Sequence, residues 1–230
     1  MYPELSSVEI SGTLLLAVKI GDSTVTIEKA LSSIPVSELV RQLNRDDLKK
    51  TFWINIYNAF FQILSVRYKI QKPAIFRDKL IEIAGNKFSL DDIEHGILRR
   101  YRYKYSLGYF ANPFAPALIK KLAVSIIDWR IHFALNCGAK SCPPIAFYKA
   151  DLIDRQLELA AKSFLENETE IDNGKRTLTI TPLFKWFKAD FGGSNGIKNI
   201  LHKYLSQQIS GYKIIYSLYD WSTDLHNFSE

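Results

Sequence analysis

The sequence predicts an α+β fold: a single mixed domain, helix-rich around a small, mostly antiparallel sheet. Three observations lead there. Helix-periodic and strand-like segments are mixed, roughly six to eight of the first and five or six of the second, without the βαβ rhythm of a doubly wound sheet. No repeat, low-complexity stretch or linker rich in Gly, Pro or Ser divides the chain, so residues 1–230 read as one domain. The 230 residues are 47% hydrophobic and 13% aromatic, enough for one sizeable core or two small ones with many rings.

The elements follow in order. Ser6 and Glu9 have capping-box spacing ahead of "EISGTLLLAVKI", a helix that Gly12 weakens. "VSELVRQLN" is a short amphipathic helix. From Asp46 to about Tyr68 apolar side chains nearly surround a helix axis, which marks it as central and buried. Its one polar stripe is Asn55, Asn58 and Gln62. A buried amide left unsatisfied costs roughly 1–3 kcal/mol, so the stripe must bond to neighbouring backbone or face a cavity.

"KLIEIAGNKFSL" reads as two short strands around an Ala-Gly-Asn turn, and Ser89 with Asp92 caps the next helix. That helix has an apolar face of Leu90, Ile93, Ile97, Leu98 and Tyr101, with Glu94 in its middle and His95 toward the flank. "NPFAPALIKKLAV" begins a helix, and "DWRIHFALNC" alternates like a strand. "DLIDRQLELAAKSFLE" is a long amphipathic helix. "IDNGKRTLTIT" reads as a hairpin with Asn173-Gly174 in a two-residue turn. Pro182 opens a short aromatic helix, "LFKWFKADF", which Gly192-Gly193 stops. "GIKNILHKYLSQQI" is a further helix and "YKIIYSLYDWS" a closing strand.

Composition sets limits on function. No window approaches the roughly 20 apolar residues of a membrane span, and "MYPELSSVEI" has no secretory pattern. Two cysteines are not a disulfide framework, which suits a cytoplasmic location. The net charge of +6 is mildly basic. "RRYRYKY" interleaves cations with tyrosines, but it follows a helix, where cations are favourable anyway, so a nucleic-acid partner is disfavoured. No glycine loop that would cradle a phosphate follows a strand.

Five motifs in order, "FWINIYNAF", "LDDIEHGILR", "DWRIHFALNCGAKSCPP", "LFKWFKADFG" and "YDWS", together resemble the domain-of-unknown-function family numbered five hundred and forty-seven. The resemblance runs from about residue 52 to 222, with 1–51 as an N-terminal helical extension packed on it. Trp129 stands where the family more often has proline. The resemblance implies a mixed α/β domain of bacterial and eukaryotic proteins and brings no settled reaction. Any mechanism must come from the residues.

The stretch 132–144 holds both cysteines and His132. An active-site thiol loop, a disulfide between Cys137 and Cys142, and an inert buried turn are all open to it. Gly138 would let backbone amides approach a ligand. His132, His95 and Lys140 are the groups that could lower a thiol pKa, although in an unbroken strand His132 and Cys137 would point to opposite sides. Glu94, facing inward, needs a partner: Arg99, Arg100, a histidine or the amide stripe. The sharper expectation is a Cys-His hydrolase or transferase. Its catalytic candidates are Cys137 as nucleophile, with Cys142 as the other thiol, His132 or His95 as base, and Glu94 as orienter. Asn55, Asn58 and Asn136 are its substrate-binding candidates. The alternative is a non-catalytic binding or scaffolding module whose polar motifs form an internal hydrogen-bond network. No cofactor or metal is expected, since Cys-x-x-Cys and His-Glu-x-x-His are absent. The partner would be a small molecule or a peptide.

Overall fold

The computed structural model describes residues 5–205 and 209–229. Helix α1 (Ser7–Ile20) begins at the expected capping box: Glu9 N–H donates to Ser6 Oγ, and Ser6 N–H donates to Glu9 Oε2 at 2.7 Å. Gly21, in the left-handed conformation, ends it. Helices α2 (Val25–Ser32) and α3 (Val36–Gln42) lead to α4 (Asp46–Gln62), where every residue from Thr51 to Gln62 is buried. A π-helical turn, Ile63–Arg67, extends α4. Leu14 and Leu15 of α1, Leu31 of α2 and Leu39 of α3 share one core cluster with α4, so the N-terminal helices are part of the same packed body.

The short helix α5 (Ala74–Arg77) precedes strands β1 (Ile81–Ile83) and β2 (Asn86–Phe88), an antiparallel pair turning at Ala84-Gly85. Ser89 and Asp92 do cap the following segment, each side chain accepting the other's backbone N–H at 3.0 Å. The segment itself, Asp92–Leu98, is π-helical rather than α-helical. Helix α6 (Ala117–Leu122) follows.

The strand expected at "DWRIHFALNC" is absent: Trp129–Phe133 is a 3₁₀ turn. Asp128 caps it by accepting from Arg130 N–H. Ile131, His132 and Phe133 are all buried, so the alternation of residue type does not correspond to alternating exposure. Ile131 joins the first core cluster and Phe133 a second one.

The second cluster is built on α7 (Ile153–Glu168), β3 (Glu170–Asp172), β4 (Thr177–Ile180), α8 (Leu183–Trp186), α9 (Gly193–Tyr204) and β5 (Lys213–Tyr216). β4 pairs antiparallel with β3 and parallel with β5. The expected two-residue turn at Asn173-Gly174 is corrected, because Asp172 pairs with Thr177 and leaves a four-residue loop. Asp172 caps the N–H of Lys175, and Arg176 takes the left-handed position. Gly192-Gly193 opens α9 instead of closing a helix. The expected continuation of that helix through residues 206–208 lies outside the described residues. Among the described residues, no helix is long and apolar enough to cross a membrane.

Candidate functional site

A cavity of about 440 Å³ opens between the two clusters. Tyr57 of α4, Glu94 and His95 of the π-helical segment, and the loop carrying Leu135, Cys137 and Cys142 line one side. Leu183 and Trp186 of α8, Phe187, Tyr219 and Trp221 line the other. His132 completes the wall, so all five catalytic candidates border one space.

The thiol loop is held by α4. Among the described residues the backbone from Ala134 to Tyr148 joins no sheet and makes only isolated bridges, so many of its polar groups need side-chain partners. Asn58 Nδ2 donates to Ala134 O at 2.9 Å, and its Oδ1 accepts from Asn136 N–H at 2.9 Å. Asn136 Nδ2 in turn donates to Pro143 O at 2.8 Å, and its Oδ1 accepts from Gly138 N–H. Asn55 bonds both backbone groups of Tyr148. All three asparagines are buried, none lines the cavity, and each spends both ends of its amide on main chain. They set the loop that carries the sulfurs.

Within that loop Cys137 Sγ and Cys142 Sγ lie 2.9 Å apart, and both are free thiols. Cys142 Sγ also accepts from Cys137 N–H at 3.1 Å and lies within hydrogen-bonding reach of the Tyr219 hydroxyl at 3.2 Å. Donors converging on one sulfur favour its anion. Hydrogen bonds from Cys137 and Tyr219 accordingly pull the Cys142 thiol down to about 6 against the opposing effect of burial. Cys137, facing that negative sulfur and buried, is pushed well up.

Behind His95 and His132 runs a buried chain of charges. Arg99, fully buried, donates through Nε to Asp190 Oδ2 at 2.5 Å and through Nη1 to His95 Nδ1 at 2.7 Å. The same Asp190 oxygen meets His132 Nε2 at 3.0 Å. Because Arg99 can only donate, His95 Nδ1 must accept. The His95 proton therefore sits on Nε2, which lies 3.6 Å from Asp91. Burial, Arg99 and Lys104 hold His95 well below its ordinary value. His132 donates from Nε2 to Asp190 and keeps the Nδ1 lone pair, with no partner for it among the described residues. Its ring stacks on Phe187 at 3.9 Å between centroids. Burial lowers His132, opposed by Asp190. Asp190 is held below the usual carboxylate range by its bonds to His132 and Arg99, which outweigh burial.

Glu94 does face inward. Its Oε2 accepts from Tyr57 O–H at 3.4 Å, and its Oε1 is 3.7 Å from His95 Nδ1. Arg99 bonds Asp190 and His95 instead of Glu94 and reaches Glu94 only through its field. Burial therefore prevails and raises Glu94 to about 7.

Asp190 and Tyr219 have no role assigned from the sequence, although each lies inside one of the five motifs quoted above. That membership was the available signal. Among the described residues, no three His, Cys, Asp or Glu side chains are grouped as a metal ion requires. Residues 40–165, more than half of the chain, match the family described as "Protein of unknown function, DUF547". No curated protein and no solved structure matches the chain.

Proposed function

The chain belongs to the DUF547 family of proteins of unknown function, and from that premise we propose that it is a thiol-dependent hydrolase or transferase whose nucleophile is Cys142. The observation that carries this reading is the set of polar groups on Cys142 Sγ: the Cys137 backbone N–H, which donates to it, and the Cys137 thiol and Tyr219 hydroxyl, which lie 2.9 and 3.2 Å away, all beside an open cavity. A thiolate at neutral pH needs no base to start its attack. This moves the role from Cys137 to Cys142, because the Cys137 backbone N–H donates to Cys142 Sγ and Tyr219 lies nearer to Cys142 than to Cys137.

The Cys142 thiolate attacks an acyl carbon of a small molecule or peptide lying against the aromatic wall. Glu94, raised to about 7 and so still partly protonated at neutral pH, gives its proton to the leaving group. The resulting thioester is resolved by water or an acceptor, whose proton goes to His132 Nδ1. Asp190, fixed by Arg99, orients that imidazole as the third member of such a set does. His95 is the weaker base, since Arg99 occupies its lone pair.

The test is mass spectrometry after incubation with a panel of p-nitrophenyl esters. A single acyl adduct on Cys142, lost in Cys142→Ser, is expected. No adduct across the panel, or an adduct on Cys137 alone, overturns the reading.

A non-catalytic scaffold is the second reading, favoured by one observation. Asn55, Asn58 and Asn136 all bond to backbone. A scaffold would leave Cys142 no more reactive than an ordinary exposed thiol.

A further inference from the structure

We propose that Cys137 and Cys142 form a redox-active dithiol that exchanges with low-molecular-weight disulfides, cycling between the reduced pair and an internal disulfide. This rests on the reading of Cys142 as the reactive sulfur and requires nothing of acyl transfer.

The first observation is distance. The sulfurs are 2.9 Å apart, and a disulfide needs about 2.05 Å, so side-chain rotation of under an ångström closes the bond. A bridging metal suits the pair less well. A tetrahedral zinc about 2.3 Å from each sulfur would spread them to nearly 4 Å.

The second observation is that the backbone is already set for closure. Gly138 is left-handed, with φ of 68°, and a Cβ there would stand 2.4 Å from Phe61 Cε1. Lys140 N–H donates to Ser222 O, Ser141 N–H to Asp220 O, and Asp224 N–H to Gly138 O. Cys142 N–H closes the turn on Ala139 O at 2.9 Å. A loop clamped in this way has little chain entropy left to lose on ring closure, so each thiol faces the other at high effective concentration.

The third observation is asymmetry. Cys142 Sγ receives the Cys137 backbone N–H and lies closer to the Tyr219 hydroxyl, 3.2 Å against 3.9 Å for Cys137 Sγ, an inequality that suits an attacking and a resolving thiol. Both sulfurs line the cavity, so a small disulfide can reach them.

The exchange balances in two steps. The Cys142 thiolate attacks one sulfur of R–S–S–R, the S–S bond breaks, and R–S⁻ leaves and takes a proton from water. Cys137 then gives up its proton and attacks the Cys142 sulfur of the mixed disulfide. The internal S–S bond forms as the second R–S⁻ departs and is protonated. Two electrons pass from the pair to R–S–S–R; the proton that Cys137 releases and one drawn from water, equal to the one Cys142 had already lost on ionising, complete two R–SH.

The experiment uses the whole chain with bis(2-hydroxyethyl) disulfide, followed by intact-mass spectrometry and peptide mapping. The expected wild-type product has lost both free thiols, is lighter by two hydrogens, carries no adduct, and is restored by dithiothreitol. Cys137→Ser should instead hold a stable hydroxyethyl-thiol adduct on Cys142, and Cys142→Ser should react about tenfold or more slowly. A stable Cys142 adduct in the wild type overturns the proposal, because it shows that Cys137 cannot reach the mixed disulfide. An unreactive Cys142 in both wild type and Cys137→Ser overturns it together with the nucleophile assignment. An internal disulfide without any acyl adduct from the ester panel leaves the dithiol standing and removes acyl transfer alone.

Discussion

Burial keeps Glu94 protonated to about pH 7 in the folded chain, whereas in the unfolded chain it ionises near 4.5. Between those values the folded state holds the extra proton, so this group lowers stability as pH rises from about 4.5 to 7. The full cost is on the order of 3 kcal/mol, and 15% residual exposure of the side chain places it at the lower end. Glu94→Gln should therefore melt several degrees higher than wild type at pH 8 and at the same temperature near pH 4, in calorimetric scans at both values. Cys142 gives a kinetic counterpart. Its iodoacetamide alkylation should climb about tenfold per pH unit below about 6 and level off above it, whereas an ordinary thiol would keep accelerating to pH 8.5. Asp190 is structural as well as orienting. Asp190→Ala leaves the Arg99 cation buried without its partner, and urea titration should show a loss of roughly 3–5 kcal/mol.

At the scale of elements, the π-helical segment Asp92–Leu98 is what the helical wheel could not represent. A 100° wheel turns His95 away from Glu94, while the wider π turn sets successive side chains at a smaller angle, and both border the cavity. The 3₁₀ turn at Trp129–Phe133 was illegible for a related reason. Five residues of mixed type fit a strand or a tight turn equally, and only the Asp128 cap distinguishes them. By contrast, α4 was legible because twelve consecutive buried residues leave one stripe for polar atoms, and the need to satisfy those atoms follows from chemistry alone. That stripe carries a prediction. Asn58→Ala strands Ala134 O and Asn136 N–H together, which should cost about 2–4 kcal/mol in chemical denaturation. It should also slow Cys142 alkylation, since the loop loses its anchor. Gly138→Ala acts on the same loop from the other side. The new methyl meets Phe61 at a backbone angle L-residues avoid, and folding should weaken by about 1 kcal/mol or more.

For the molecule as a whole, the α+β class could be read from the sequence, while Glu94, His132 and the two cysteines were only candidates for one site, and all of them border the cavity. The second half of the site could not be read there. Asp190 and Tyr219 arrive from the other core cluster, and nothing local in their motifs says which residue they meet. The segment from Tyr219 to Ser229 returns across the first cluster, pairing Thr223 with Ala139 and Phe228 with Ile145. Truncation after Leu218 should lower the melting temperature and let the alkylation midpoint of Cys142 drift up toward that of a free thiol, near 8.5. The same crossing bears on biosynthesis. Ribosomes deliver residues 137–142 some eighty positions before the carbonyls of Asp220 and Ser222 that receive the amides of Lys140 and Ser141. Until that late stretch emerges, the nascent chain can hold its sulfur loop only by the asparagine amides.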